Sequence, residues 1–103
     1  MDFSLDVHRS TDCSVITLVG EVDLTTAEQL KQALRDAAAG VDLVVVDLAK
    51  LTFLDSTGLA ALLSGHKLLA ASGGRLELRD PPAMVVKMVG IVGLDDLFVF
   101  TSS

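Results

Sequence analysis

Apolar and polar residues alternate from Phe3 to Arg9, with Phe3, Leu5 and Val7 set against Ser4, Asp6 and His8, the period of two that marks a half-buried strand. The polar cluster Ser10-Thr11-Asp12 turns the chain. The β-branched run Val15 to Val19 predicts a second strand, paired with the first as an antiparallel hairpin. Gly20 to Leu24 follows as a short connector carrying two carboxylates, Glu21 and Asp23. The period then changes. Thr25, with Glu28 three residues later, has the form of a capping box and opens a helix whose apolar stripe is Ala27, Leu30, Leu34 and Ala37 or Ala38, ended by Gly40. Leu43-Val44-Val45-Val46 is an uninterrupted apolar run, as expected of a strand covered on both faces, and Asp47 closes it.

Leu51, Phe53 and Leu54 draw the next loop back onto the core, and Asp55 or Ser56 caps a second helix running to about Ala71. Its core stripe reads Leu59, Leu62, Leu63, His66, Leu69 and Ala70. The other side, which includes Thr57, Ala60, Ala61, Ser64 and Lys67, is small and almost uncharged. Solvated helix faces usually carry more charge, so this face is expected to accept a partner. Ser72-Gly73-Gly74 stops the helix, Leu76 to Leu78 forms a strand, and Pro81-Pro82 leads into a short helix with Met84, Val85 and Met88. Phe98-Val99-Phe100 reads as a last short strand. Strands alternating with helices predict one α/β domain over residues 1–103, its parallel strands joined through helices.

Composition narrows the partners. Eight basic against fourteen acidic residues give a formal net charge of −6, the wrong sign for phosphate backbones or anionic membrane surfaces. With four Phe and no Trp or Tyr, the chain also lacks stacking platforms for single-stranded nucleic acid. Neither nucleic acid nor direct membrane insertion is expected. Cys13 has no second cysteine to pair with, and residues Met1 to Asp6 lack the basic start and apolar run of a leader, so the expected location is the cytoplasm.

The junction Leu54-Asp55-Ser56-Thr57-Gly58-Leu59 concentrates the candidate chemistry. Ser56 reads either as a helix cap or as a phosphoacceptor at a helix start. It does not read as a hydrolase nucleophile, because the elbow motif needs a glycine where Leu54 stands. His66, ten residues along the same helix and so roughly 15 Å away, is too far to serve as its base. Asp23, Asp47 and Asp55 raise the question of a hard-cation pocket at one sheet edge. Aspartate-phosphoacceptor domains with such a pocket also carry a lysine after a later strand, where this chain has Arg79-Asp80-Pro81. No metal, no cofactor and no catalytic group is expected, and the chain is not read as an enzyme.

Gly20-Glu21-Val22-Asp23-Leu24 before a threonine-capped helix, followed by Asp47-Leu48 and then Leu51-Thr52-Phe53-Leu54-Asp55-Ser56-Thr57-Gly58-Leu59, resembles the STAS family, and within it the free-standing anti-sigma factor antagonists. The likeness runs from about Phe3 to Phe100. It implies a mixed four- to five-stranded sheet with an N-terminal antiparallel hairpin, flanked by helices. It also implies that Ser56 is phosphorylated by a GHKL-type anti-sigma factor serine kinase, which the unmodified protein binds so that a sigma factor is freed. A PPM-type phosphatase would reset the switch. Carried over residue by residue, Asp23 helps engage the kinase, Asp55, Thr57 and Gly58 shape the docking edge, and the flat face with Ala61 and Ser64 extends it. Similar domains are accessory subunits of lipid or anion transporters, which is the alternative role.

Overall fold

The computed structural model describes residues 3–103; Met1 and Asp2, which open the stretch read for a leader, lie outside the described residues. The N-terminal alternation forms the expected hairpin. Strand β1 (Phe3–Arg9) pairs antiparallel with β2 (Cys13–Val22), Phe3 opposite Gly20 and Arg9 opposite Ser14. β2 does not stop at Val19: it continues through the expected connector to Val22, with register shifts on either side of Gly20, which sits at φ +94°. A glycine takes that backbone geometry without a Cβ penalty, so the strand bends and carries on.

The strand predicted from Leu43 to Val46 is also longer. β3 spans Leu43–Leu54, and Leu48, Leu51 and Leu54 are buried beyond Asp47, so Asp47 lies within the strand rather than closing it. Its charge is accommodated by pairing: Arg79 Nη2 donates to Asp47 Oδ2 at 3.1 Å from the neighbouring strand β4 (Arg75–Arg79). With β5 (Val99–Thr101) the sheet has five strands in the order β1-β2-β3-β4-β5, parallel throughout after the hairpin.

Helices α1 (Ala27–Ala38), α2 (Ser56–Ala71) and α3 (Ala83–Ile91) connect these parallel strands. The crossovers all step the same way across the sheet, and right-handed crossovers of that kind place their helices on one face. Burial agrees. Ile16, Val46 and Leu78 from the sheet join Leu34, Leu62 and Val89 from the helices in a single core, whereas Val45, only 7% exposed but pointing the other way, stands outside it. The molecule is therefore two layers, with one sheet face free of helices. Among the described residues no helix is long and apolar enough to cross a membrane.

The helix layer is tied down at its far end. Ser14, fully buried, donates its hydroxyl to Ala37 O at 3.1 Å, and Arg9 donates to Ala39 O at 2.7 Å, supplying partners to carbonyls that a helix end leaves unpaired. Helices α1 and α2 meet closely because Gly65 has no side chain. A Cβ there would come within 2.9 Å of Leu34 Cδ1.

Half of the predicted core stripe of α2 is buried as expected, at Leu59, Leu62 and Leu69. The buried face also takes in Gly58, Ala61 and Gly65 on the side toward α1, whereas Leu63 and His66 are only half-buried and Ala70 is exposed. Ala61, read as part of the partner face, is 4% exposed and packs in the core, and it also lines the groove between the starts of α1 and α2. Small residues mark the seam with α1 here, and lack of charge on a helix face reflected burial as much as availability.

Candidate functional site

The ends of β2 and β3 carry the same turn twice. Val22 pairs with Leu54 across the two parallel strands, and the next residues are Asp23-Leu24-Thr25 and Asp55-Ser56-Thr57. In the first turn Asp23 Oδ1 accepts from the Thr25 N–H at 2.9 Å and from the Thr25 hydroxyl at 2.7 Å. In the second, Asp55 Oδ1 accepts from the Thr57 N–H at 2.9 Å, from the Gly58 N–H at 3.1 Å and from the Thr57 hydroxyl. Short aspartate side chains suit this role because they fold back onto backbone two residues ahead.

Each turn starts a helix. Asp55 is the side-chain cap of α2, as one of the two expected candidates. At α1 the expected capping box does not form. The N-cap is Thr26, which makes no cap hydrogen bond, and its hydroxyl instead accepts from the Asp23 N–H at 3.0 Å. Thr25 is held by Asp23, and Glu28 faces Arg35 at 3.6 Å on the exposed side. A carboxylate two residues upstream competes successfully for the threonine hydroxyl that the box would need.

Both carboxyl groups are held below the usual carboxylate range. For Asp55 the Thr57 hydroxyl contributes most, followed by the Gly58 N–H; partial burial and the nearby Asp23 charge push the other way. For Asp23 the Thr25 hydroxyl contributes most, with the Thr25 N–H next. Since an unfolded aspartate titrates near about 3.9, the stability these contacts supply is complete at neutral pH and is lost as the pH falls from about 4 through the lower folded values. Asp55→Asn keeps an acceptor oxygen but carries no charge to titrate. Urea unfolding followed from about pH 7 down to about pH 3 is expected to show a shallower acid decline for the variant than for the wild type.

Of the site residues anticipated from sequence, the fold brings Asp23, Asp55, Ser56, Thr57 and Gly58 together. Ser56 is exposed as the first residue of α2, and its hydroxyl makes no hydrogen bond among the described residues, while the Thr57 hydroxyl is already committed to Asp55. Gly58 is buried beneath the turn. Ser64 is half-buried eight residues further on, about 12 Å along the helix axis, and Ala61 is in the core. Asp47 does not join the two turn aspartates: it lies eight residues back along β3, roughly 25 Å by strand rise, opposite Thr17 and Arg79. Among the described residues no three His, Cys, Asp or Glu side chains gather at metal-binding range.

One residue at this edge was missed. Leu24 occupies in the first turn the place Ser56 occupies in the second, and it is 76% exposed. A groove of about 250 Å³ between the helix starts is lined by Leu24 and Thr57 together with Ala27, Glu28, Lys31, Ala60 and Ala61. The signal available in the sequence was the repeated Asp-x-Thr spacing, which puts Leu24 and Ser56 in register. A larger groove of about 790 Å³ lies between β1 and α1, against Phe3, Leu5, Val7 and Ala33. Its titratable lining residues each have partners: Arg9 is bound to the end of α1, Glu28 faces Arg35 at 3.6 Å, and Asp36 accepts from Gln32 at 3.0 Å.

A five-stranded sheet with an antiparallel first hairpin, covered on one face by helices and carrying a capped serine turn at the end of its central strand, defines a STAS-type domain. The family model described as "Mlab, STAS domain" matches residues 5–100, and the chain belongs to that family. Particular relatives follow. The anti-sigma-B factor antagonist of Bacillus subtilis is 29% identical over 98 residues, covering 94% of this chain and 89% of the relative. The solved structure of the anti-sigma factor antagonist SpoIIAA in its unphosphorylated form superposes with a TM-score of 0.80 at 28% identity, covering 96% of this chain and 87% of that one. SpoIIAA of Bacillus in its phosphorylated form superposes with a TM-score of 0.75 at 27% identity, covering 96% and 90%.

Proposed function

We propose that this protein is an anti-sigma factor antagonist, a binding module switched by phosphorylation of Ser56. Unmodified, it binds a GHKL-type anti-sigma factor serine kinase and so releases a sigma factor. The kinase transfers the γ-phosphoryl group of ATP to Ser56 Oγ, releasing ADP and the hydroxyl proton, and the modified protein lets go. A PPM-type phosphatase hydrolyses the ester to serine and inorganic phosphate. The observation that carries this reading is the division of labour between adjacent hydroxyls: Thr57 is locked onto Asp55, while Ser56 is exposed and uncommitted at a helix start. The names of the relatives, and the existence of SpoIIAA in a phosphorylated form, support it.

The turn also gives the modification something to act on. At a helix start a phosphate ordinarily finds free N–H donors. Here the Thr57 and Gly58 N–H groups are taken by Asp55, so a phosphate on Ser56 adds a charge of about −1.5 to −2 beside two carboxylates that stay ionised. The fold tolerates this because the group points to solvent. A partner docked there meets three anionic groups in place of two carboxylates and a neutral hydroxyl.

Incubation with ATP and a purified GHKL-type kinase, followed by intact-mass measurement, is expected to show one phosphoryl group gained by the wild type and by Thr57→Ala, and none by Ser56→Ala. A gain that survives Ser56→Ala refutes the assignment. Capture of a membrane ATPase that is undiminished in Ser56→Ala supports the transporter-subunit role instead.

A further inference from the structure

We propose that Leu24 is the apolar anchor by which the Ser56 kinase holds this protein, an assignment that rests on the reading above and adds a binding residue to it. Exposed leucines scattered singly over a surface need no explanation. Leu24 differs by its place. It sits in the turn adjacent to that of Ser56, on strand ends related by the Val22–Leu54 pairing, and neighbouring strands are spaced about 4.8 Å apart. Even a small transient interface covers several hundred Å² per partner, a patch on the order of 10 Å or more in radius. An enzyme whose active site reaches Ser56 Oγ therefore covers Leu24 as well.

The turn makes Leu24 well suited to be covered. Asp23 fixes the backbone on both sides: its carboxylate accepts from the Thr25 N–H and hydroxyl, and its own N–H donates to the Thr26 hydroxyl. The leucine is presented at 76% exposure on a backbone that is already ordered, so little freedom is lost when a partner closes over it. Beside it the groove is lined by three alanines and Thr57, with one residue of each charge, Glu28 and Lys31. The partner this fits carries an apolar side chain to meet Leu24 next to a basic group facing the Asp23 and Asp55 carboxylates. In this arrangement the carboxylates favour encounter, and Leu24 supplies affinity that salt does not screen.

Leu24 has no part in the phosphoryl transfer itself, so its loss is expected to appear in binding alone. In steady-state phosphorylation by a GHKL-type kinase, Leu24→Ala is expected to raise KM for this protein by about tenfold or more with kcat unchanged. Leu24→Met, which keeps apolar bulk, is expected to return KM to within about twofold of the wild type. Because the lost contact is apolar, the ratio of the two KM values is expected to stay the same as salt is raised, even as both values increase. Thermal unfolding of each variant checks that the turn still folds. An unchanged KM in Leu24→Ala, with the wild type phosphorylated on Ser56, overturns the Leu24 assignment and leaves the proposed function standing. A fall in kcat at constant KM overturns it too, by pointing to a disturbed Ser56 turn. If the wild type gains no phosphate, the function reading fails and the anchor fails with it.

Discussion

Phosphorylated protein is expected to bind its kinase about 30-fold to several thousand-fold more weakly than the unmodified form, and this is the largest functional effect that one group on this surface can produce. The range corresponds to about 2 to 5 kcal/mol for leaving a buried charge without its partner, at about 1.4 kcal/mol per tenfold. It follows from the geometry of the cap. Asp55 already accepts from the Thr57 and Gly58 N–H groups, so the helix start offers the phosphate little compensation, and Asp23 and Asp55 remain as neighbouring negative charges. A docking surface shaped for two carboxylates and a neutral hydroxyl cannot also solvate the added group. Calorimetric titration of the kinase with each form measures the difference. Ser56→Glu, with a single negative charge and a different shape, is expected to give only part of the loss. Equal affinities for the modified and unmodified forms would show that Ser56 does not operate a binding switch.

The largest effect on stability is expected at Leu54, the residue immediately before the Asp55 cap. Leu54 is 1% exposed, and a Cβ built on Gly58 would overlap its side chain and come within 2.9 Å of Val22 Cγ1. The first turn of α2 thus rests on the two paired residues that end β2 and β3. Leu54→Ala removes that support and leaves a cavity, at a cost of about 2 to 5 kcal/mol out of the roughly 5 to 15 kcal/mol that keeps a domain folded. Gly58→Ala alone is expected to cost about 1 to 3 kcal/mol by overpacking, even though alanine is intrinsically the better helix former by about 1 kcal/mol. In the double variant the new methyl enters the space Leu54 vacates. Urea denaturation of the two single variants and the pair is therefore expected to give a combined loss smaller than the sum. Strict additivity would mean that Gly58 is not held against Leu54.

What was legible in the sequence was whatever depends on periodicity and on residues close along the chain. The hairpin follows from the alternation between Phe3 and Arg9, and the last turn of β3 leads into a cap because an aspartate stands just before a helical run. The candidate site was visible for the same reason, since Asp55, Ser56, Thr57 and Gly58 are consecutive. Strand lengths were less legible. Gly20 and Asp47 read as terminators, yet β2 passes Gly20 by bending at positive φ and β3 passes Asp47 because Arg79 on the neighbouring strand neutralises it. Neither partner geometry is a local property.

The sequence by itself determined that this is an α/β domain of the STAS pattern with one serine turn of special character, because helix and strand periods and a capping aspartate act within a few residues. Tertiary structure decided which neighbours that turn has. It set Asp23 and Leu24 beside Asp55 and Ser56 by pairing Val22 with Leu54, and it sent Asp47 to the middle of the sheet. It also packed Ala61 into the core at the bottom of the Leu24 groove by closing α1 against α2 at Gly65. The physical reason is that packing depends on which small side chains let two backbones approach, and a helix face low in charge reads alike whether it is covered by protein or left open to a partner.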